Sequence, residues 1–259
     1  MDLPLSWTTD LAVRRAGGSS VEERPDHLVV RTPDNPTFHW GNFVLVTDPA
    51  SVDDAPRWLE VFEKEFPDAA HRAIGLVADP DAAAWTAVGL AIEHEDVLST
   101  DARPEAGPLA QGYLVRQLAT QEDWSQATGL ELEEYPGDAA FHHAATETRA
   151  RMSARGDAAW FGAFHGDRLV AQLGIVDCGD AVARYQAVIT GAAHRRRGLA
   201  AHLLGVAGAW AAERGARTWV IIADVDSDAG RLYRARGFRP AGRSAQAYRR
   251  PDPDPAAGQ

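Results

Sequence analysis

The chain has 259 residues, 45% of them apolar and 24% charged, which is typical of a folded globular protein long enough for two modest domains. Residues 1–110 carry 8 Arg or Lys against 20 Asp or Glu, and this acidic balance argues against nucleic acid as a partner, because phosphate contact needs a basic face. The single Cys178 excludes an internal disulfide, and no apolar run approaches the ~20 residues that span a bilayer, so we expect a cytoplasmic protein without a membrane partner.

The first 110 residues alternate between strand and helix patterns. Asp53 or Asp54 can cap a helix whose apolar stripe begins at Trp58. The other predicted elements are a strand at 28–31, a strand at 38–46 bent at Gly41-Asn42, a strand at 73–78, a helix at 81–88 and a strand at 92–98. Residues 100–112 are rich in proline and glycine and are the predicted linker.

The rest of the chain continues this alternation. Thr120 can cap a helix with Asp123 three residues later, a weak variant of the capping box. The other predicted elements are a strand at 113–116, a helix at 141–155, strands at 159–164 and 169–176 around a Gly166-Asp167 hairpin turn, and a pair of short strands around Gly242. Residues 251–259 are rich in Pro, Asp and Ala, which predicts a disordered tail.

The most informative stretch is residues 183–238. An apolar strand leads through a turn that contains Arg195 and Gly198 into a helix with apolar residues at helical spacing. The first N–H groups of such a helix are unpaired and converge with the positive end of the helix dipole. Gly198 lacks the side chain that would keep a phosphate from the backbone, and consecutive arginines add charge-assisted hydrogen bonds. The turn therefore predicts an anion site.

Two motifs in this stretch resemble those of the GNAT superfamily, the acyl-CoA-dependent N-acetyltransferases. Arg195, Gly198 and Ala200 match the superfamily's pyrophosphate loop, Arg/Gln-x-x-Gly-x-Gly/Ala. The segment from Leu232 to Phe238 is similar to the superfamily's Leu-Tyr-x-x-x-Gly-Phe ending. Two motifs in the right order, separated by one helix and one strand, are a far more specific signal than the loop alone.

The resemblance implies a set of site residues. Backbone N–H groups at the end of the 183–190 strand would bind the pantetheine arm and the thioester carbonyl oxygen, and the strand at 218–225 would splay away. Tyr233 would protonate the departing thiolate, since a phenol with an ordinary pKa of ~10 is protonated at neutral pH. The implied cofactor-binding residues are Val188, Ile189, Thr190, Arg195, Arg196, Arg197, Gly198, Leu199, Ala200 and Ser227, the last standing where relatives often carry an asparagine.

The resemblance also implies a fold and a domain plan. We expect an α/β (α+β) fold, with a GNAT-type mixed central sheet flanked by helices in residues 111–250. Residues 1–110 would form a smaller, divergent GNAT-like α/β lobe, a degenerate one because no Arg-x-x-Gly-x-Gly/Ala turn occurs in it. The expected role of this lobe is structural.

A general base is harder to assign. Many relatives carry an acid on the strand before the turn, whereas residues 183–190 contain no carboxylate. The candidates left open are Asp224, Asp226, Glu131, Glu133 and Glu134, each of which also fits a cap or a surface charge. His142 and His143 lie near the expected substrate-facing helix, with a surface histidine as the default interpretation. Cys178 fits a buried small residue better than a nucleophile.

The resemblance predicts an N-acetyltransferase that moves an acetyl group from acetyl-CoA, its cosubstrate, to a primary amine of a small molecule or peptide. The alternative is a non-catalytic acyl-CoA-binding sensor or regulatory module, which would not need the missing carboxylate. An aminoglycoside-modifying enzyme is a special case that only the acidic balance supports. No metal is expected, because the nine histidines lack zinc-ligand spacing, and a homodimer is left open.

Overall fold

The structure is a computed structural model, and it describes residues 3–251. Over that range the α-helices are α1 (Leu5–Ala16), α2 (Ala55–Glu65), α3 (Ala82–Ala87), α4 (Gln121–Glu134), α5 (Ala139–Arg155), α6 (Leu199–Glu213) and α7 (Asp228–Ala235). The strands are β1 (Ser20–Glu23), β2 (His27–Arg31), β3 (Phe43–Val46), β4 (Arg72–Leu76), β5 (Ala91–Thr100), β6 (Tyr113–Gln117), β7 (Ala158–His165), β8 (Arg168–Asp177), β9 (Val182–Thr190), β10 (Thr218–Asp224) and β11 (Arg239–Arg249).

The chain divides into two compact units, neither of which is contiguous in sequence. The described residues of the first unit are 3–8, 19–95 and 243–251, and those of the second are 9–18 and 96–242. The predicted linker belongs to the second unit, and α1, β5 and β11 contribute residues to both. The predicted division of the chain at residue 110 stays a prediction, and all but the first residue of the predicted tail lies outside the described residues.

The first unit is a mixed sheet in which a helix connects two parallel strands. β1 pairs with β2 and β2 with β3 in antiparallel fashion, whereas β3 and β4 are parallel and are joined by α2. β11 pairs antiparallel with the other side of β4. All four residues of β3 are buried, as in a strand covered on both faces. α2 begins after Asp54 and buries Trp58 and Phe62, which confirms the predicted apolar stripe, but within the described residues the Asp54 side chain accepts no capping hydrogen bond, so the predicted cap is wrong.

The second unit contains a second mixed sheet. β6, β7, β8 and β9 are antiparallel neighbours, and the parallel pair of β9 and β10 is joined by α6. Leu199, Leu203 and Leu204 of α6 pack on one face, while Leu130 of α4 and Met152 of α5 pack on the other. The expected fold class, a mixed sheet flanked by helices, is confirmed.

A capping box fixes the start of α4. Thr120 Oγ1 accepts a hydrogen bond from the Asp123 N–H at 3.1 Å, and the Asp123 carboxylate accepts one from the Thr120 N–H at 3.0 Å, which confirms the predicted box. The Arg116 guanidinium donates to both carboxylate oxygens at 2.7 and 2.8 Å and holds the pKa of Asp123 well below its usual range. An N-cap of this kind stabilises a helix by about 0.5–2 kcal/mol. The box thus anchors the helix that carries three of the predicted base candidates.

Two predicted strands take another form. In the 38–46 segment only Phe43–Val46 is a strand, because residues His39–Gly41 form a 3-10 turn and the Asn42 side chain binds backbone carbonyls that precede this turn. The Asn42 amide donates to the Phe38 carbonyl at 2.9 Å. The predicted pair of strands around Gly242 is wrong, because β11 continues through that glycine at a φ of 148°, which a residue with a side chain rarely adopts.

Candidate functional site

The predicted anion turn joins β9 to α6. After β9 a 3-10 turn spans Ala192–His194, and the chain then reaches Gly198, the N-cap of α6. Gly198 has a φ of 77°, in the left-handed region that glycine adopts without strain. Within the described part of the chain no side chain caps this helix end, so its first N–H groups remain for a ligand. The turn therefore has the backbone form of an anion site.

The side chains around the turn are cationic. Arg196 and Arg197 are exposed. Burial lowers the pKa of His194, and the positive charges of His165, Arg197 and Arg168 lower it further. An anion at the turn would therefore meet a positive potential as well as backbone donors.

A β-bulge interrupts β9 shortly before the turn. The register between β8 and β9 shifts between Gln172 and Gly174, so that Leu173 lies opposite two residues, Ala187 and Val188. Ala187 has a φ of 48°, which is uncommon for a residue with a side chain. A bulge leaves backbone groups outside the ladder. Such a free N–H is what binding of a carbonyl oxygen by this strand requires.

β9 and β10 separate beyond their first residues. Backbone pairs join Val182–Arg184 to Thr218–Val220. In the range that the structure describes, β9 runs on to Thr190 and β10 to Asp224 without further pairing between them. The predicted splay of the two strands is therefore observed, and it opens toward the bulge and the turn.

Tyr233 lies in α7 with 3% of its surface exposed, beside Phe238 at a ring-centroid distance of 6.3 Å. Burial raises the pKa of its phenol, and the Tyr135 phenol raises it further. Tyr233 therefore keeps its proton across the neutral range, as a general acid must. Tyr135, the C-cap of α4, is 59% exposed, so a second aromatic side chain reaches the neighbourhood of Tyr233 from α4.

The other predicted cofactor residues divide between strand, turn and helix ends. Val188 is half-buried and packs toward α6, while Ile189 is buried in the cluster under α4 and α5. Leu199 is buried in the first turn of α6. Ser227 caps α7, where its hydroxyl oxygen accepts a hydrogen bond from the Gly230 N–H at 3.1 Å. Ser227 thus has its hydroxyl hydrogen to offer to a ligand, and its contact with the cofactor stays a prediction.

Arg195 is engaged within the protein. Its Nε donates to the Thr190 carbonyl at 3.1 Å, and its guanidinium pairs with Glu134. Glu134 also accepts a hydrogen bond from the Ala192 N–H at 2.7 Å. No sequence pattern indicates this pair, because the two residues are 61 positions apart. That Arg195 binds the cofactor stays a prediction.

The three glutamates among the base candidates are engaged as well. Their partners are Arg149, Gln172 and His142 for Glu131, Arg168 for Glu133, and Arg195 with the Ala192 N–H for Glu134. These contacts favour a structural role for all three. Asp224 and Asp226 are exposed at the end of β10.

The remaining reactive side chains have structural surroundings. His142 is 7% exposed, so its interpretation as a surface histidine is wrong. Its Nδ1 lies 3.2 Å from the Glu131 carboxylate and its Nε2 lies 3.1 Å from the Tyr135 carbonyl oxygen, which ties α5 to the last turn of α4. His143 is exposed. Burial raises the pKa of the Cys178 thiol to about 12, which does not suit a nucleophile.

Residues 3–251 contain no group of three or more His, Cys, Asp or Glu side chains arranged to hold a metal ion. In the same range, none of the helices has the length and apolar character needed to cross a membrane.

Comparisons with known proteins agree with this geometry. Residues 120–238 match the family model described as the acetyltransferase (GNAT) family. A GCN5-related N-acetyltransferase from Kribbella flavida is 17% identical over 99% of both chains, with a TM-score of 0.68. A functionally unknown conserved protein from Staphylococcus epidermidis is 13% identical over 89% of this chain and 93% of its own, with a TM-score of 0.69.

A tandem GNAT protein from the clavulanic acid biosynthesis pathway is also similar in structure. It is 15% identical over 93% of this chain and 88% of its own, with a TM-score of 0.58. No curated protein matches the sequence. The match to the GNAT acetyltransferase family model over residues 120–238 confirms the resemblance seen in the two motifs. Identities this low support the shared fold and leave the substrate open.

Proposed function

We propose that this protein is an N-acetyltransferase that transfers the acetyl group of acetyl-CoA to a primary amine of a small molecule or peptide by direct attack. One observation carries the proposal: the uncapped N-terminus of α6 follows a bulged strand that separates from its parallel neighbour. The match of residues 120–238 to the GNAT family model supports acetyl transfer as the reaction class.

The residues fit an acyl-CoA molecule. A Cβ built at Gly198 would have the Pro108 carbonyl oxygen, 3.8 Å away, as its nearest neighbour, so the space beside the turn is open. The first N–H groups of α6, together with Arg196 and Arg197, would hold the diphosphate. Acetyl-CoA, when bound, supplies an activated thioester carbonyl.

The chain's own groups would then act on that carbonyl in two ways. A backbone N–H released by the bulge at Ala187 and Val188 would donate to the oxygen as negative charge develops on it. Tyr233 would give its phenolic proton to the sulfur as the carbon–sulfur bond breaks and the nitrogen–carbon bond forms. Because the glutamates of α4 are engaged in ion pairs, we propose that the proton of the attacking amine leaves to solvent.

The proposal is tested by incubating the protein with acetyl-CoA and a panel of primary amines and amino-terminal peptides, with mass spectrometry of the products. We expect an acetylated amine with wild-type protein, none above background with Gly198→Glu, and strongly reduced product with Tyr233→Phe. Acetyl-CoA binding without acetylation of any amine in the panel would favour the alternative, an acyl-CoA sensor. The feature that keeps this alternative open is the absence of a carboxylate from residues 183–190.

A further inference from the structure

Glu134, the last residue of α4, holds the turn that precedes the anion site. One carboxylate oxygen accepts a hydrogen bond from the Ala192 N–H at 2.7 Å, and the other pairs with the Arg195 guanidinium. The Glu134 side chain is only 11% exposed, whereas that of Arg195 is 58% exposed. The Glu134 carboxylate is therefore held in place at the end of α4, and the Arg195 guanidinium lies between it and solvent.

Arg195 makes a second contact within the protein. Its Nε donates to the Thr190 carbonyl oxygen at 3.1 Å, at the last residue of β9. The guanidinium therefore bridges the end of β9 and the end of α4, and the chain between Thr190 and Arg195 closes into a small loop. The 3-10 turn inside this loop is held by the Glu134 contact to its first residue.

The charges of Glu134 and Arg195 also affect how strongly the neighbouring anion site attracts a phosphate. An unpaired carboxylate near the N-terminus of α6 would repel a phosphate. Paired with Arg195, the Glu134 carboxylate is neutralised, and the charge left for a phosphate comes from Arg196, Arg197 and the helix end. The same pairing occupies the guanidinium that the motif alone would assign to the phosphate.

We propose that Glu134 and Arg195 form a clamp that positions the turn for acyl-CoA binding, with Arg195 a positioning residue and not a phosphate ligand. This inference rests on the proposed function, because the turn is taken to bind the diphosphate. The clamp sets the direction from which the chain enters Gly198 and so the direction of the first N–H groups of α6.

Calorimetric titration with CoA distinguishes the clamp from a direct contact between Arg195 and the phosphate. Glu134→Ala removes the clamp, and the matched control Glu133→Ala removes the same charge from the same helical turn, where the carboxylate pairs with Arg168. We expect CoA affinity to fall about fivefold or more for Glu134→Ala and to change less than about twofold for the control. If Arg195 were a phosphate ligand sequestered by Glu134, Glu134→Ala would bind CoA more tightly than the control, and the proposal would be overturned.

Substitutions of Arg195 give an independent test of the clamp. Arg195→Gln keeps a donor for the Glu134 carboxylate but leaves its charge uncompensated, so we expect a loss of affinity that is smaller than in Arg195→Ala. Arg195→Ala removes the clamp and also leaves the Glu134 carboxylate unpaired, so it should weaken binding at least as much as Glu134→Ala does, and the double variant should bind like Glu134→Ala. A double variant that binds CoA more weakly than Glu134→Ala would show that Arg195 contacts the phosphate itself, which contradicts its role as a positioning residue.

Hydrogen exchange without CoA distinguishes a failed clamp from a failed proposed function. In Glu134→Ala we expect faster amide exchange in a peptide spanning residues 190–198, and unchanged exchange there in Glu133→Ala. Unchanged exchange in Glu134→Ala would overturn the clamp whatever CoA does. If wild-type protein binds no CoA while the exchange result holds, the clamp stands and the proposed function fails.

Discussion

The two units use the same order of elements around a parallel strand pair. The first unit has β3, α2, β4 and α3, and the second has β9, α6, β10 and α7. In each unit the first strand of the pair is preceded by antiparallel strands. This shared order supports the prediction that the first lobe is GNAT-like, and it shows that the order of elements alone does not make a site.

The two units also resemble each other at the end of the last of these helices, α3 in the first unit and α7 in the second. Trp85 and Tyr233 are each followed, four residues later, by a glycine with positive φ, 78° at Gly89 and 92° at Gly237. The next residue, Leu90 or Phe238, donates its N–H to the carbonyl of the aromatic residue at 3.0 or 3.2 Å. The first unit therefore contains a structural copy of the second motif, with tryptophan in place of tyrosine.

Three local differences separate the units. The indole N–H of the buried Trp85 donates to the Val52 carbonyl at 3.0 Å, and an indole cannot serve as a proton donor to a thiolate as a phenol can. The segment between β3 and α2 carries Asp48, Asp53 and Asp54 where the second unit has its arginines. The register between β2 and β3 is regular, whereas that between β8 and β9 contains the bulge. The phenol, the arginines and the bulge therefore distinguish the candidate site, and the shared order of elements does not.

The largest effect is expected from Gly198→Glu. A carboxylate beside a phosphate costs several kcal/mol of binding free energy, so acetyl-CoA affinity should fall about 1,000-fold. The strain of a side chain at a φ of 77° lowers the free energy of unfolding by about 1–2 kcal/mol. Gly215→Glu is the matched control, because it adds the same charge and a similar strain, at a φ of 95°, beyond the other end of α6. Equal losses in the two variants, measured by calorimetry, would contradict an anion site at Gly198.

Tyr233→Phe should slow the chemistry and leave binding unchanged. The loss of a general acid lowers kcat by about 100-fold or more, while the phenyl ring keeps its packing against Phe238. Steady-state kinetics with a competent amine and calorimetry with acetyl-CoA measure the two effects separately. Wild-type kcat in this variant would mean that water or another group protonates the sulfur.

The features of the second unit that can be predicted from the sequence are those formed by residues a few positions apart in the chain. The Thr120 box, the turn at Gly198 and the Tyr233 motif each depend on residues a few positions apart, so their pattern is visible in the chain. The pairs of Glu134 with Arg195 and of Glu131 with His142 join separate elements, and only the fold brings them together. The bulge at Ala187 has no residue signal, since alanine rarely adopts positive φ.

Parts of the first 110 residues were not predictable for other reasons. α1 is short, and Thr8, Thr9 and Asp10 interrupt its apolar positions, so its helical period is weak. The 38–46 segment has the composition of a strand, but the Asn42 side chain ends the pairing by binding backbone carbonyls. The match of Trp85 to Tyr233 needs the backbone geometry of the two glycines before it can be recognised.

Trp85→Phe should affect the stability of the first unit and not the site. The variant loses the hydrogen bond to Val52 and part of a buried ring, which lowers the free energy of unfolding by about 1–3 kcal/mol. Acetyl-CoA affinity should stay within about twofold of wild type. Denaturant unfolding and calorimetry check the two statements. A folded Trp85→Phe protein that no longer binds acetyl-CoA would show that the first lobe takes part in the site.

The smallest effect is expected from alkaline pH. Because burial raises the pKa of Tyr233, its protonated form persists above the ordinary phenol value of about 10, so kcat should show no alkaline decline up to that pH. The profile is measured with the amine saturating in its neutral form. A decline in kcat with an apparent pKa below 10, absent from Tyr233→Phe, would contradict a buried phenol as the acid.

We propose that only the second unit binds acyl-CoA. Calorimetric titration of the wild-type chain with acetyl-CoA tests it most directly, because the stoichiometry counts the sites. We predict one molecule bound per chain. Two molecules per chain would show that the first lobe also has a working site, and no binding would show that the turn at Gly198 is not an acyl-CoA site.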